Sequence, residues 1–177
     1  INQNVEPIHI GRLQNYATMS VIKSGKKLYS PGEENDKKVA IIGAGPAGIA
    51  CACELRTFGY SVDIYEAKAK PSGLTVHGVA PYKISNEEVM AEMDYLQNQL
   101  GYNIIYNQAI TSKEQIADLE ANYSAIFIGV GLGATAQLTM TGENLKGVHG
   151  AVEFIEELRM AHSDIKIAKK VVVIGGG

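Results

Sequence analysis

The chain has no tryptophan, three phenylalanines, five prolines and two cysteines in 177 residues, and each scarcity removes a class of protein. Cys51 and Cys53 lie two apart in a stretch of helical character, where side chains at that spacing diverge, so they cannot pair with each other. Without a Cys-x-x-Cys, a zinc-ligand spacing or a disulfide framework, the sequence reads as a protein of a reducing interior, the cytoplasm. An excess of positive charge is missing too. Sixteen Lys and Arg face 19 Asp and Glu, a formal charge of −3, which gives no long-range pull toward nucleic acid or an anionic membrane. No apolar run approaches the roughly 20 residues of a membrane span. Few prolines beside 19 glycines and 46% apolar residues argue for a folded chain with many turns rather than disorder. The start lacks Met and the end runs a predicted strand into Gly175-Gly176-Gly177, which reads as a fragment of a longer chain.

Ile10, Leu13, Tyr16 and Ala17 recur at helical spacing and predict a short amphipathic helix that covers something. Residues 23–38 carry Gly25, Pro31, Gly32 and a charged run without periodicity, a linker signature. Lys38-Val39-Ala40-Ile41-Ile42 then has the pattern of a strand buried on both faces. Residues 46–58 are helix-compatible, with Pro46 in the first turn and Gly59 at the far end. A second strand over 61–65 closes on Glu66. Strand, glycine turn, helix and strand within about 30 residues form a βαβ unit with a right-handed crossover.

A loop is expected over 67–84. Ser85 with Glu88, and Ser112 with Gln115, predict capping boxes. Val89, Met93, Leu96 and Leu100 mark one helical face that ends at Gly101, and Ile116 with Leu119 mark the inner side of the next helix. Residues 102–106 and 124–128 read as strands, the latter running into Gly129-Val130-Gly131. A helix over 150–162 with Ala151, Ile155 and Leu158 inward, then a strand over 170–174, would open a new unit.

Gly43-Ala44-Gly45-Pro46-Ala47-Gly48 is a Gly-x-Gly-x-x-Gly with a buried strand before it and a helix after it. The first glycine permits the tight turn, the second lets backbone approach a pyrophosphate, and the third brings helix against strand; the anion then rests on free N–H groups at the positive helix end. Glu66 lies about twenty residues on, where a carboxylate accepts bonds from ribose hydroxyls and disfavours a 2′-phosphate. These physical requirements do not separate FAD from NAD, since both present the same adenosine diphosphate, and a purely structural turn also needs glycines.

Residues 37–48 with Ile64-Tyr65-Glu66, Pro71-Ser72-Gly73-Leu74, the stretch 77–84 and Ile126-Phe127-Ile128-Gly129-Val130-Gly131 together resemble the small subunit of NADPH-dependent glutamate synthase and the related flavin part of dihydropyrimidine dehydrogenase. The opening Pro7-Ile8-His9-Ile10-Gly11-Arg12-Leu13-Gln14 and residues 151–177 lean toward dihydropyrimidine dehydrogenase. The resemblance implies an α/β, Rossmann-like FAD/NAD(P)-binding fold with a parallel sheet and a short helical N-terminal segment. Residues 1–36 would be that segment and a linker, 37–149 the FAD-binding domain, and 150–177 the start of an NAD(P)-binding domain. It further implies hydride transfer from NAD(P)H to FAD, then export of electrons through iron–sulfur clusters outside this chain to a partner subunit or domain.

Carried over by position, Gly43, Gly45, Ala47 and Gly48 would hold the FAD pyrophosphate and Glu66 its ribose, with Ala44, Pro46 and Ala67 also counted among the cofactor-binding residues. Gly73 and Leu74 would lie along the flavin, Lys83 near the phosphates, and Ala109 against the adenine. Gly129 and Gly131 would close over the cofactor, and Gly175 and Gly177 would begin the nicotinamide cradle. Ser72 stands where the family carries glycine, and a side chain there would crowd the flavin or be strained if φ is positive. Lys83 replaces an arginine and offers a point charge instead of a fork.

No nucleophile–base constellation or metal-ligand set emerges, and hydride transfer needs none. His9, His77, His149 and His162 fall in unrelated segments, with His77 expected to pack. The pairs Glu33-Glu34, Glu87-Glu88 and Glu156-Glu157 read as solvated faces. Cys51 and Cys53 read as helix fillers, with Cys51 near enough to the glycine turn to feel the helix end. Two alternatives stay open on the residues alone: an NAD-only dehydrogenase, and a nucleotide-binding module without catalysis.

Overall fold

A computed structural model of the chain describes residues 8–161 and 165–175. Its centre is a four-stranded parallel sheet of β1 (Lys38–Ile42), β2 (Ser61–Tyr65), β3 (Asn103–Ile105) and β4 (Ala125–Ile128), ordered β3-β2-β1-β4. The register sets Ile42 opposite Tyr65 and Ile128, and Tyr65 opposite Ile105. All four strands therefore end along one edge. The chain steps outward from β1 through β2 to β3 and then returns to the other side of β1, which makes the β1/β4 gap the point where the strand order reverses.

Crossover handedness explains the layers. Helices α2 (Pro46–Thr57) and α4 (Asn86–Leu100) follow β1 and β2 and cover one face, where Ile41, Ile49, Ala52, Val62, Ile64, Leu100 and Ile104 form the main core. Helix α5 (Lys113–Asn122) serves the reversed connection and therefore lies on the opposite face, where Leu119 meets Ala40 and Ile42. The capping boxes form as expected: Ser85 Oγ accepts from the Glu88 amide, and Ser112 Oγ accepts from the Gln115 amide. Gly101 closes α4 in the left-handed region at φ +72°.

Three expectations need correction. Helix α1 (Ile10–Ser24) forms, yet among the described residues nothing covers its predicted apolar stripe: Ile10, Leu13 and Tyr16 are 64%, 60% and 77% exposed. It is the next stripe, Thr18, Met19, Val21 and Ile22, that is half-buried, where α1 lies on α4. Residues 25–37 are strapped to the body instead of hanging as a linker. Gln99 Oε1 accepts from the amides of Leu28 and Tyr29, and the Gly32 amide donates to the Arg56 carbonyl. Residues 170–174 form no strand, because among the described residues none pairs with them, and Val172 is 88% exposed. No helix among the described residues is long and apolar enough to cross a membrane.

The α5 face carries a polar cluster on its sheet. Asp63 takes Lys38 Nζ at 2.6 Å, the Tyr123 hydroxyl at 2.6 Å and Asn103 Nδ2 at 3.2 Å, and Tyr123 meets Tyr65 hydroxyl to hydroxyl at 2.8 Å. Burial by itself would raise the Asp63 carboxyl, but the bonds from Lys38, Tyr123 and Asn103 and the Lys38 charge outweigh it and hold the group below its usual range. The stabilisation is thus complete above the unfolded value of about 3.9 and disappears as pH falls through the lower folded value. Asp63→Asn should therefore lose less thermal midpoint than the original chain between about pH 5 and 2, measured by circular dichroism. An unchanged acid limb would contradict this account.

Candidate nucleotide-binding site

At the end of β1 the chain turns through Gly43 at φ +101°, with its amide donating to the Tyr65 carbonyl at 2.8 Å. A Cβ on Gly43 would stand 2.6 Å from the Gly129 carbonyl oxygen, and one on Gly48 would stand 2.0 Å from the Gly43 oxygen. Both glycines are demanded by the fold. Gly45 is different. Its φ of −73° and ψ of 177° suit any residue, and a Cβ there would come no closer than 3.9 Å to protein. Neither strain nor packing demands this glycine; beyond the modest N-cap preference for glycine over alanine, its open flank leaves room for a ligand to approach.

Around it the backbone donors are free. The amides of Gly45, Ala47 and Gly48 make no hydrogen bond among the described residues, and Pro46 has no N–H to satisfy. With the α2 dipole behind them, these donors suit a phosphate. Glu66, buried beside the turn, accepts the Ala44 amide on Oε2 and the Lys68 amide on Oε1, both at 2.8 Å. A carboxylate has about four acceptor positions, so two remain for hydroxyl donors. The residues present therefore fit an adenosine diphosphate group: donors for its phosphates, acceptors for its ribose, and a glycine where the approach is closest.

The loop after Glu66 returns to the turn. The Ser72 amide donates to the Ala44 carbonyl at 2.7 Å, and Gly73 comes so near Gly45 that a Cβ on it would stand 3.0 Å from the Gly45 Cα. One helical turn, α3 (Leu74–His77), lies inside the segment expected to be loop. Ser72 is buried with φ +77°, so the strain anticipated for a non-glycine there is present. Ser72→Gly should raise stability by about 0.5–1 kcal/mol, the left-handed penalty less the added unfolded-state entropy, and lift the thermal midpoint by about 2 °C. A fall in the midpoint would show that the side chain contributes more than its backbone costs.

The other predicted positions are placed as follows. Gly129 is half-buried against the turn, with its amide donating to the Ile42 carbonyl at 2.8 Å. Ala67 and Ala109 are exposed on neighbouring loops that are tied together, since the Gln108 amide donates to the Glu66 carbonyl and the Asn107 amide to the Lys68 carbonyl. The Ala109 carbonyl accepts Gln115 Nε2 at 3.1 Å. Leu74, Lys83 and Gly131 are exposed, Lys83 in a turn whose amide donates to the Ala80 carbonyl. Gly175 lies in an exposed extended segment at φ +96°. Gly177 and His162 lie outside the described residues.

Several residues gain a role that sequence spacing did not signal. Tyr106 follows β3, and burial, with the carboxylates of Asp94 and Glu66 adding to it, pushes its phenol up. His77 is buried as expected, with Nε2 3.3 Å from the Lys70 carbonyl and Nδ1 3.2 Å from Glu156 Oε1. Glu156, on α6 (Ala151–Ala161), also takes Lys68 Nζ. It is no solvated-face residue. The other acidic pairs are also engaged, Glu88 in the α4 cap and Glu34 3.8 Å from the Arg56 guanidinium. In α6 the expected inward Ala151 is exposed, while Arg159 is buried and donates to the Val79 and Ile84 carbonyls and to Asn86 Oδ1. Burial raises both thiols, Cys53 to about 11, so the helix end does not activate Cys51.

Comparison with known proteins agrees with this geometry. The sequence pattern of the family described as "Pyridine nucleotide-disulphide oxidoreductase" matches residues 37–177. The chain is 34% identical to the NAD-dependent dihydropyrimidine dehydrogenase subunit PreT of Salmonella typhimurium over 172 residues, 97% of this chain and 41% of that protein. It is 34% identical to the NADPH-Fe(3+) oxidoreductase subunit beta of Geobacter sulfurreducens over 152 residues, 83% of this chain and 22% of that one. The chain thus spans about two fifths or less of these relatives. Mycobacterium tuberculosis FprA in complex with NADPH superposes with a TM-score of 0.62 at 25% identity, over 68% of this chain and 28% of that chain. The expected likeness to dihydropyrimidine dehydrogenase is borne out, and with a parallel sheet ending in this glycine turn and a match over most of its length, the chain belongs to the pyridine nucleotide-disulphide oxidoreductase family.

Proposed function

We propose that this chain is the FAD-binding part of a subunit that takes electrons from NAD(P)H and passes them to a partner. The observation that carries the reading is Gly45, a glycine that neither its own dihedrals nor its neighbours require, set among three free amides. The amides of Gly45, Ala47 and Gly48 would hold the pyrophosphate, with Gly43, Ala44 and Pro46 shaping the turn. Glu66 would hold the ribose, with Ala67 beside it and the Ala109 backbone toward the adenine. Gly73 and Leu74 would border the flavin, Lys83 would face phosphate, and Gly129 and Gly131 would close the cradle. Gly175 and Gly177 would begin the nicotinamide site. When bound, the isoalloxazine supplies hydride acceptance and one-electron export, which no side chain here performs.

The chain's own residues bind, orient and exclude water. Glu66 fixes the adenosine end, the α2 N-terminus neutralises the phosphates, and the 72–74 loop bounds the cofactor's path. Both PreT and the Geobacter protein are named as subunits, which supports a partner subunit for this chain; iron–sulfur clusters would lie outside it. A dihydropyrimidine dehydrogenase-type partner is favoured over a glutamate synthase type by the relatives' names. A cytoplasmic setting fits free, half-buried thiols.

The test is the visible spectrum of the purified chain after incubation with FAD and desalting, beside a fluorescence titration with NADH. A retained yellow flavin supports the reading. A colourless protein that binds NADH would replace it with the NAD-only dehydrogenase. Ser72→Gly should also tighten FAD, since it relieves the wall nearest the turn.

A further inference from the structure

The candidate site has two walls that reach it from different directions. One is the loop from Glu66 to Lys68, whose Lys68 amide holds Glu66 Oε1. The other is the loop from Ser72 through α3, whose Ser72 amide holds the Ala44 carbonyl and whose Gly73 packs on Gly45. Between them run Ala69, Lys70 and Pro71, too short a piece to carry a core of its own. What joins the walls lies far along the chain, on α6, 88 residues beyond Lys68. Glu156 Oε1 receives Lys68 Nζ from the first wall and faces His77 Nδ1 at 3.2 Å from the second. His77 is 6% exposed, and its Nδ1 is fully buried with no partner of good hydrogen-bond geometry. Its other nitrogen, Nε2, lies 3.3 Å from the Lys70 carbonyl, inside the connecting piece.

Glu156 works from a fixed platform. One turn on, Arg159 is buried and spends its guanidinium on the Val79 and Ile84 carbonyls and on Asn86 Oδ1, which pins α6 over the segment that follows α3. A lone surface ion pair contributes little. Here a single carboxylate oxygen faces two walls, one contributing a nine-tenths-buried ring, and the helix that carries it is tied down by the three Arg159 hydrogen bonds. Ordering two loops before a ligand arrives removes an entropic cost that binding would otherwise bear.

We infer that Glu156 is a positioning residue that clamps the ribose wall, through Lys68, to the pyrophosphate and flavin wall, through His77, and so sets the span of the cradle. This rests on the nucleotide reading above, and its consequence depends on ligand length. A ligand that ends at the adenosine diphosphate leans mainly on Glu66 and the α2 amides, whereas FAD must satisfy both walls together.

The experiment compares the full chain with Glu156→Gln, Lys68→Met and His77→Gln by amide hydrogen exchange without nucleotide, then by calorimetry with FAD and with 5′-ADP. Glu156→Gln should speed exchange at least about tenfold in both 67–71 and 73–78 while β1 and β2 keep their protection. Lys68→Met should loosen the first segment more than the second, and His77→Gln the reverse. FAD affinity should fall about tenfold in Glu156→Gln and 5′-ADP affinity by no more than about threefold. Exchange that stays unchanged in either segment, or that rises uniformly over the chain, overturns the clamp. So does equal loss of both ligands. If Glu156→Gln does not fold, the two single-wall variants decide: identical exchange patterns from them overturn the proposal, and opposite patterns support it. If the original chain binds neither ligand, the nucleotide reading fails, whatever the exchange data say of the clamp.

Discussion

Replacing Gly45 with alanine should leave the thermal midpoint within about 4 °C of the original chain, yet weaken FAD binding by about a hundredfold. The two halves of this expectation have separate causes. A Cβ at Gly45 would find its nearest protein atoms, the Gly129 oxygen and the Gly73 Cα, at 3.9 and 4.0 Å, and the backbone is already extended there. The fold loses only the modest preference of an N-cap for glycine over alanine, about 1 kcal/mol. A pyrophosphate lying on the neighbouring amides must pass within contact of that same atom, and a methyl group holds it off. Gly48→Ala gives the opposite pattern. Its Cβ would be 2.0 Å from the Gly43 oxygen and 3.2 Å from Ile41 Cγ2, so the helix must leave the strand at a cost above about 3 kcal/mol. Thermal unfolding followed by circular dichroism, with calorimetric titration of FAD, separates the two. A Gly45→Ala chain that binds FAD as before would remove the ligand as the reason for that glycine.

The difference between these two glycines is legible in the motif itself. The motif assigns Gly43 to the turn, Gly45 to the ligand and Gly48 to helix–strand packing, and the close distances at Gly43 and Gly48 agree with the first and third of those roles. What is legible is what is local. Ser85 with Glu88 and Ser112 with Gln115 satisfy the first-turn amides of their own helices, so spacing alone predicts them. The continuous apolar run of β1 predicts a strand covered on both faces, and Val39, Ala40, Ile41 and Ile42 are all buried. Glu66 is legible because it ends the second strand of the unit.

What escapes is what depends on partners far along the chain. Glu156 looks like half of a solvated acidic pair until α6 is laid beside Lys68 and His77. Arg159 gives no signal in the sequence, since its three acceptors, from 79–86, come together around it only in the folded chain. The stripe on α1 fails for a related reason: periodicity identifies an apolar face but not whether a neighbour lies against it, and α4 meets a different one. Residues 170–174 have the composition of a strand, but a strand exists only as part of a ladder, and among the described residues no neighbour pairs with them.

Glu66→Gln, nearly isosteric with the original, should be the more damaging change because it strikes fold and ligand together. Both carboxylate oxygens accept backbone amides, Ala44 on one and Lys68 on the other, each at 2.8 Å. An amide has one oxygen, so its NH2 must face one of those N–H groups, donor against donor. One backbone amide beside the buried turn then loses its partner, which costs about 2 kcal/mol, or about 6 °C in thermal midpoint for a chain of this length. The same exchange removes acceptor capacity and negative charge from the place where ribose hydroxyls would bind, and bonds to a charged acceptor are worth about 1.5–3 kcal/mol. FAD affinity should fall by a factor on the order of 10–100. Because a ligand that binds only the folded state stabilises it by RT ln(1 + [L]/Kd) and so raises the midpoint, one experiment reads both effects. The variant should melt lower without FAD, and the further rise on adding FAD should shrink or vanish. A variant that melts lower but keeps the full FAD-dependent rise would make Glu66 a brace for the turn and leave the ribose to some other group.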